Sequence, residues 1–179
     1  MGVERAETII NGRADRRLTA VVLVITLLGS VAFRVCGVAS RSLEYDEIWT
    51  LEHFAKAGSV WTILTDMRLA NNHVFSSLCI RAVVAVFNDA PVWVRLPALL
   101  AGIGIVLVVW CVARDLFRKH PAYAVLAAGF CGFHAGLIHY SQTARGYSIQ
   151  VLFVLLFAWV IIRFERETLP RPLAYSLLV

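Results

Sequence analysis

Three polar stretches interrupt an otherwise apolar chain, and each carries residue types that can do chemistry. The first is Glu44-Tyr45-Asp46-Glu47, with three carboxylates within four residues directly after an apolar run. Adjacent acids at the border of a low-dielectric region can include one with a raised pKa, which suits general-base catalysis. A solvated loop in which the aspartate caps a helix is the alternative explanation of the same residues.

The second and third stretches offer polar groups that could bind a substrate. Asn71-Asn72-His73 provides two amides and an imidazole for hydrogen bonds to hydroxyl groups, or it is a polar turn that opens a helix. Residues 139–148, His-Tyr-Ser-Gln-Thr-Ala-Arg-Gly-Tyr-Ser, lie between two apolar runs. Their Arg145 could bind an anionic headgroup through its planar set of donors, or it could anchor the chain at the membrane surface beside interfacial tyrosines.

The composition indicates that the elements carrying these stretches are membrane helices. Of the 179 residues, 59% are hydrophobic and 16% are charged, whereas soluble domains have about 45–50% and about 25%. This excludes a disordered chain, a coiled coil and an ordinary cytosolic domain. The net charge of +5 does not indicate nucleic-acid binding, because no basic stripe with interleaved aromatic residues occurs.

Nothing in the sequence predicts a metal or a cofactor. The cysteines form no C-x-x-C pair and no Cys/His ligand spacing, so a zinc site is not expected. We interpret them as small apolar residues in or near membrane helices. They are Cys36, Cys79, Cys111 and Cys131.

The apolar runs predict an all-α, multi-pass bundle in one module of residues 1–179. A helical span needs about 20 mostly apolar residues. Predicted spans cover residues 18–39, 93–113, 121–140 and 146–163, and a fifth begins at 173. The loop 40–91 separates the first two spans. This module ends inside its fifth span, so we expect it to be the incomplete N-terminal part of a longer bundle.

One further apolar segment, Val74 to Asn88, decides the topology. Arg81 lies at its centre, where a cation costs about 2.5–3.5 kcal/mol on insertion scales, so we predict an interfacial helix and not a span. The arginines before residue 18 and the basic turns at 114–119 and 163–171 then share the cytoplasmic side, as the positive-inside rule requires. The three polar stretches fall together on the external side.

The external loop itself has helical patterns. Asp46 to Ala57 is predicted as a short helix with Gly58 as its stop, and Ile48, Leu51 and Ala55 share one face. Ser59 is predicted to cap a second helix through Leu69. Amphipathic helices between spans lie along the interface, so the loop is expected to be a structured ledge on the membrane.

Taken in order, the three stretches resemble the N-terminal part of the GT-C superfamily of integral-membrane glycosyltransferases. The resemblance rests on residues 43–50 (Leu-Glu-Tyr-Asp-Glu-Ile-Trp-Thr), 71–74 (Asn-Asn-His-Val) and 139–147. The most similar branch is that of the bacterial family-39-type enzymes, relatives of protein O-mannosyltransferases and lipid A aminoarabinose transferases. The resemblance covers about residues 18–178 of this chain.

The resemblance implies a role for each motif. It gives Asp46 the deprotonation of the acceptor, with Glu47 as neighbour and second catalytic candidate, and it gives Arg145 the recognition of the donor phosphate. The other implied binding residues belong to the same polar motifs: Tyr140, Gln142 and Tyr147 at the substrate or donor, and Asn72 and His73 in the sugar or acceptor pocket.

The expected function is therefore transfer of a sugar from a polyprenyl phosphate to an acceptor hydroxyl. The acceptor is a protein, a lipid or a glycan, and the active face is the external face of the cytoplasmic (inner) membrane, with the N-terminus in the cytoplasm. Two alternatives stay open: a truncated, non-catalytic membrane protein that binds lipid or a partner, and a small transporter. The transporter is disfavoured because the polar groups cluster at one surface and not at the midplane of broken helices.

Overall fold

The structure is a computed structural model that describes residues 2–57, 59–66 and 72–168, with side chains for 17–57, 59–66 and 72–165. Its described part is helical and contains no strand. The helices are α1 (Gly2–Val35), α2 (Tyr45–Thr50), a π-helical turn (Leu51–Ala55), α3 (Val60–Thr65), α4 (Val74–Val86), α5 (Pro91–Leu116), α6 (Pro121–Phe133), α7 (Ala135–Ser141) and α8 (Tyr147–Thr168). The predicted all-α membrane bundle is confirmed. The predicted fifth span, from residue 173, lies outside the described residues.

Three helices are long and apolar enough to cross a membrane: Arg17–Val35 of α1, all of α5, and Tyr147–Glu165 of α8. Helix α5 is the centre of the bundle, because it packs against α4, α6, α7 and α8 and also contacts α1. In its most apolar stretch 39% of the residues are buried, against 11% for α1 and α8. The outer surfaces of α1 and α8 are therefore the apolar surfaces that a bilayer would cover.

The predicted span 121–140 is not one continuous helix. It consists of α6 and α7, which meet at His134 with a bend of 60°. His134 has an extended backbone (φ −68°, ψ 119°), and its Nδ1 accepts a hydrogen bond from the Leu137 N–H at 3.4 Å, so it begins a new helix. The apolar pattern predicted a straight span because it contains no proline that would mark the break.

Two side chains, those of Arg34 and Gln142, satisfy backbone carbonyl groups that helix ends leave open. Arg34, at the end of α1 and fully buried, donates to the carbonyls of Cys131 (3.3 Å) and Gly132 (2.6 Å) at the end of α6. In return, Gln142 donates through Nε2 to the Phe33, Arg34 and Cys36 carbonyls at the end of α1, at 2.8–3.2 Å. This reciprocal capping fixes α1 to the α6–α7 bend.

Helix α4 is too short to be a straight span. Its 13 residues extend about 20 Å, less than the roughly 30 Å of a hydrocarbon core. Arg81 donates to the carbonyls of Ala55 and Ala57, where the π-helical turn ends. The arginine that argued against a span thus joins α4 to the loop helices.

The loop helices differ in detail from the prediction. The first begins at Tyr45, with Glu44 in the N-cap position, and continues as the π-helical turn to Ala55. Leu51 and Ala55 are buried, but Ile48, which was predicted to share their face, is exposed, because α2 turns Glu47 and Thr50 towards the bundle. Ser59 accepts from the Trp61 N–H, which confirms the second cap, and α3 ends at Thr65. Gly58 and Leu69 lie outside the described residues.

Candidate functional site

The centre of the site is a fully buried carboxylate, Glu47, at the end of the bundle that carries the loop. Its Oε1 accepts from Arg95 Nε (2.9 Å) and from the Ala144 N–H (2.6 Å). Its Oε2 accepts from Arg95 Nη2 (2.6 Å) and from the Glu44 N–H (2.8 Å). Four hydrogen bonds leave this carboxylate no room for a substrate. Glu47 instead joins α2, α5 and the loop 142–146.

Arg95 is also buried, and each of its guanidinium nitrogens donates a hydrogen bond within the protein. Besides the bidentate contact with Glu47, it donates to the carbonyls of Val38, Arg41 and Ser42 at 2.8–2.9 Å. Burial alone would raise the pKa of Glu47, but the hydrogen bonds from Arg95 and from the Glu44 and Ala144 N–H groups outweigh it and hold that pKa below its usual range. Glu47 is therefore an ionised structural acid.

Asp46, the neighbour of Glu47, has a different environment. Successive helical residues point about 100° apart, so the burial of Glu47 turns Asp46 towards the open side of α2. There its Oδ2 pairs with Nη2 of Arg145, and the two side chains remain 31% and 27% exposed. The predicted base and the predicted anion-binding arginine are thus in direct contact, 99 positions apart in the sequence, at a place that solvent reaches.

The side-chain amides of two other predicted binding residues, Asn72 and Gln142, donate hydrogen bonds to backbone carbonyls. The amide nitrogen of Asn72 donates to the carbonyls of Ile63 (2.8 Å) and Asp66 (2.9 Å), which connects the end of α3 to α4. Gln142 caps α1 as described above. Both amide nitrogens therefore position the backbone around the site.

His73, Tyr147 and Tyr140 form a continuous aromatic row, in which Tyr147 follows Arg145 by two residues. The His73 and Tyr147 rings are 5.1 Å apart, and the Tyr147 and Tyr140 rings 4.9 Å. His73 and Asn72 also line a cleft of about 210 Å³ between α4 and α8, whose other walls are Val74, Phe75, Ser76, Gly146, Ile149, Gln150 and Phe153. Burial lowers the pKa of His73, so its imidazole is neutral at pH 7 and can both donate and accept a hydrogen bond.

The row depends on the absence of a side chain at Gly146. A Cβ there would lie 2.6 Å from His73 Cβ, and neither atom can move without the backbone. We expect Gly146→Ala to destabilise the protein by about 1–3 kcal/mol through overpacking. Thermal unfolding in detergent would measure the change.

Gly129→Ala is the matched control for this prediction. Its new methyl group would meet only ordinary contacts, at 3.8 Å from Thr26, so its melting temperature should stay close to that of the wild type. Equal melting temperatures for the two variants would contradict the assigned contact.

Sequence reasoning missed the two buried arginines that build this end of the bundle. Arg95 and Arg34 lay inside the predicted spans 93–113 and 18–39, and neither was given a role. A signal was available, since a cation within or beside a membrane helix needs carbonyl or carboxylate partners. The identity of those partners, 48 and 98 positions away, was not readable from one sequence.

The arrangement can combine acid–base and anion-binding chemistry at one accessible point. Asp46 offers a carboxylate, Arg145 a guanidinium, and the aromatic row a surface with hydrogen-bonding edges. Within the part of the chain that the structure describes, no group of three His, Cys, Asp or Glu side chains is close enough to hold a metal ion.

Comparison with known proteins gives one match. The family model described as "Dolichyl-phosphate-mannose-protein mannosyltransferase" matches residues 74–179, more than half of the chain. No curated protein and no solved structure matches the chain significantly. The matched range contains Arg145 and Arg95 but begins after the acidic motif, which reaches it through the Asp46–Arg145 and Glu47–Arg95 ion pairs.

Proposed function

Because this chain belongs to the dolichyl-phosphate-mannose-protein mannosyltransferase family, whose members are glycosyltransferases of the GT-C type, we propose that its donor is a sugar on a polyprenyl phosphate. The acceptor in this proposal is a hydroxyl group, with that of a protein side chain favoured by the family description. The observation that carries the proposal is the accessible pair of Asp46 and Arg145. The carboxylate can take the proton of the acceptor hydroxyl, and the guanidinium can stabilise the negative charge of the leaving phosphate.

The reaction needs a base for the acceptor and a counter-charge for the leaving group. The acceptor O–H loses its proton to the Asp46 carboxylate while its oxygen forms a bond to the anomeric carbon. The bond from that carbon to the phosphate oxygen breaks, and its electron pair leaves with the polyprenyl phosphate. A phosphate monoester is a stable anion, so it needs electrostatic stabilisation more than a proton, and Arg145 supplies this. A direct displacement inverts the anomeric configuration.

The remaining polar residues take supporting roles in this proposal. Glu47 positions the reacting pair through Arg95 and Ala144, and Gln142 and Asn72 hold the surrounding backbone. Tyr140, Tyr147 and His73 line the approach to the pair and offer hydrogen bonds to sugar hydroxyls.

The charges at the end of the bundle opposite Asp46 support the proposed orientation. The end opposite Asp46 carries Arg114, Arg118, Lys119 and Arg163, and the positive-inside rule puts such an end in the cytoplasm. In a bacterial cell the membrane would be the inner membrane, and the pair of Asp46 and Arg145 would face outward. In the alternative, a non-catalytic protein would bind lipid or a partner through the same surface and would show no sugar transfer.

Arg145→Ala tests the donor assignment. Loss of a charge-assisted contact worth about 1.5–3 kcal/mol should raise the KM for the polyprenyl-phosphate sugar about 10- to 150-fold. Initial rates in membrane preparations, measured over a series of donor concentrations, would give this value.

Lys56→Ala is the matched control, because Lys56 is an exposed loop cation with its own carboxylate partners, Glu52 and Asp89. Its donor KM should equal that of the wild type. An unchanged donor KM in Arg145→Ala would remove the phosphate-binding role.

A further inference from the structure

The end of the bundle opposite Asp46 has a structure of its own, unrelated to the proposed reaction. It consists of the C-terminal ends of α5 and α8 and the turn 117–120, and we call it the basic end. Among the side chains that the structure describes, four cations are exposed there: Arg114, Arg118, Lys119 and Arg163. Two carboxylates, Asp115 and Glu165, accompany them among the described side chains, so this end keeps an excess of positive charge.

Two of these arginines lie over tryptophan rings one helical turn closer to the membrane centre. The Arg114 guanidinium is 4.7 Å from the ring centre of Trp110, and that of Arg163 is 5.0 Å from Trp159. Tryptophan prefers the boundary between hydrocarbon and headgroups, and an arginine beyond it extends to the headgroup level. The two pairs therefore place two guanidinium groups at the depth of lipid phosphates.

A nearly buried aspartate fixes the direction of one guanidinium. Asp115 Oδ2 accepts from Trp159 Nε1 at 2.9 Å and from Arg163 Nε at 3.1 Å. The Asp115 side chain is 9% exposed, whereas that of Arg163 is 54% exposed. Because the contact uses Nε, both terminal nitrogens of Arg163 lie outside this ion pair. An arginine held in this way loses less entropy when it binds a further anion.

We propose that the basic end binds the phosphate of an anionic phospholipid, with Arg163 and Arg114 as the contacting residues. Arg118 and Lys119 add to the attraction. The occupant is a lipid and not a soluble phosphate because α8 continues from Arg163 into an exposed apolar surface, with Phe157 69% and Val160 63% exposed, along which acyl chains can lie.

Lipid binding to the purified protein tests this proposal. Native mass spectrometry would compare phosphatidylglycerol with phosphatidylcholine for the wild type, for Arg114→Gln and for Arg118→Gln/Lys119→Gln. These variants leave the contact of Asp115 with Arg163 and Trp159 intact, so they should remain folded. We expect the wild type to prefer phosphatidylglycerol, and each removed cation to reduce that preference about fivefold, as a contribution of about 1 kcal/mol per cation requires.

Two further measurements separate this proposal from unspecific attraction. Lys56→Ala removes a cation at the other end of the bundle and should leave the preference unchanged. Glycerol 3-phosphate, which has the charged group without acyl chains, should not displace the lipid. Equal binding of the two lipids by the wild type, an equal loss in Lys56→Ala, or displacement by glycerol 3-phosphate would each overturn the proposal.

Discussion

Asp46→Asn should lower kcat by about 10²- to 10⁴-fold, the range that a positioned general base contributes. Asparagine has the same shape and can still accept a hydrogen bond from Arg145, but it cannot take the acceptor proton. The donor KM should not rise, because Arg145 loses an anion that competes with the donor phosphate. Steady-state kinetics in membranes, normalised to the amount of protein, would separate the two constants.

Asp89→Asn is the control that makes this result specific. Asp89 is an exposed acid that pairs with Lys56, so its replacement changes the same charge without touching the pair of Asp46 and Arg145. Its turnover should equal that of the wild type. Near-normal turnover of Asp46→Asn would refute the assignment of the base.

Glu47→Ala should produce a comparably large effect, but on stability. The change leaves Arg95 as a buried, unpaired cation and removes the acceptor of two backbone N–H groups. Breaking a buried ion pair costs about 3–5 kcal/mol. We expect a large drop in melting temperature in detergent and little protein in the membrane, in contrast to Asp46→Asn, which should reach wild-type levels.

The stability that Glu47 provides should also depend on pH. Its pKa in the folded protein is lowered, so the contribution is fully present above the unfolded pKa of about 4.3 and is lost as the pH falls through the folded value. Melting temperatures of the wild type and Glu47→Ala should therefore converge in acid. A constant difference from neutral pH down to pH 3 would contradict the ionised state of Glu47.

Sequence patterns predicted the elements well because hydrophobicity is a local property. Runs of apolar residues indicated the membrane helices, and α4, which carries Arg81, is shorter than the helices that could cross a membrane. The number of predicted spans also placed the acidic stretch and residues 139–148 on the same side of the membrane. The contact between Asp46 and Arg145 agrees with that expectation.

The different burial of Asp46 and Glu47 could not be predicted from the residues alone. The two acids are adjacent in sequence, and which one faces inward depends on the rotation of a short helix that Arg95 fixes from 48 positions away. The bend at His134 could not be predicted either, because it too depends on a residue that is distant in the sequence. Its flanking glycines, Gly132 and Gly136, are the only local signal, and the carbonyls it exposes are satisfied by Arg34 from another helix.

The capping of α6 by Arg34 has a consequence for biosynthesis. Arg34 leaves the ribosome 98 residues before Gly132, whose carbonyl it binds. At about 5–20 residues per second, roughly 5 to 20 seconds of translation separate the two. During that interval the first span cannot complete its contacts, and its terminal arginine must stay at the membrane surface or within the insertion machinery. Stable packing of the end of α1 against α6 is therefore a late event, because it requires the α6–α7 bend to have been synthesised.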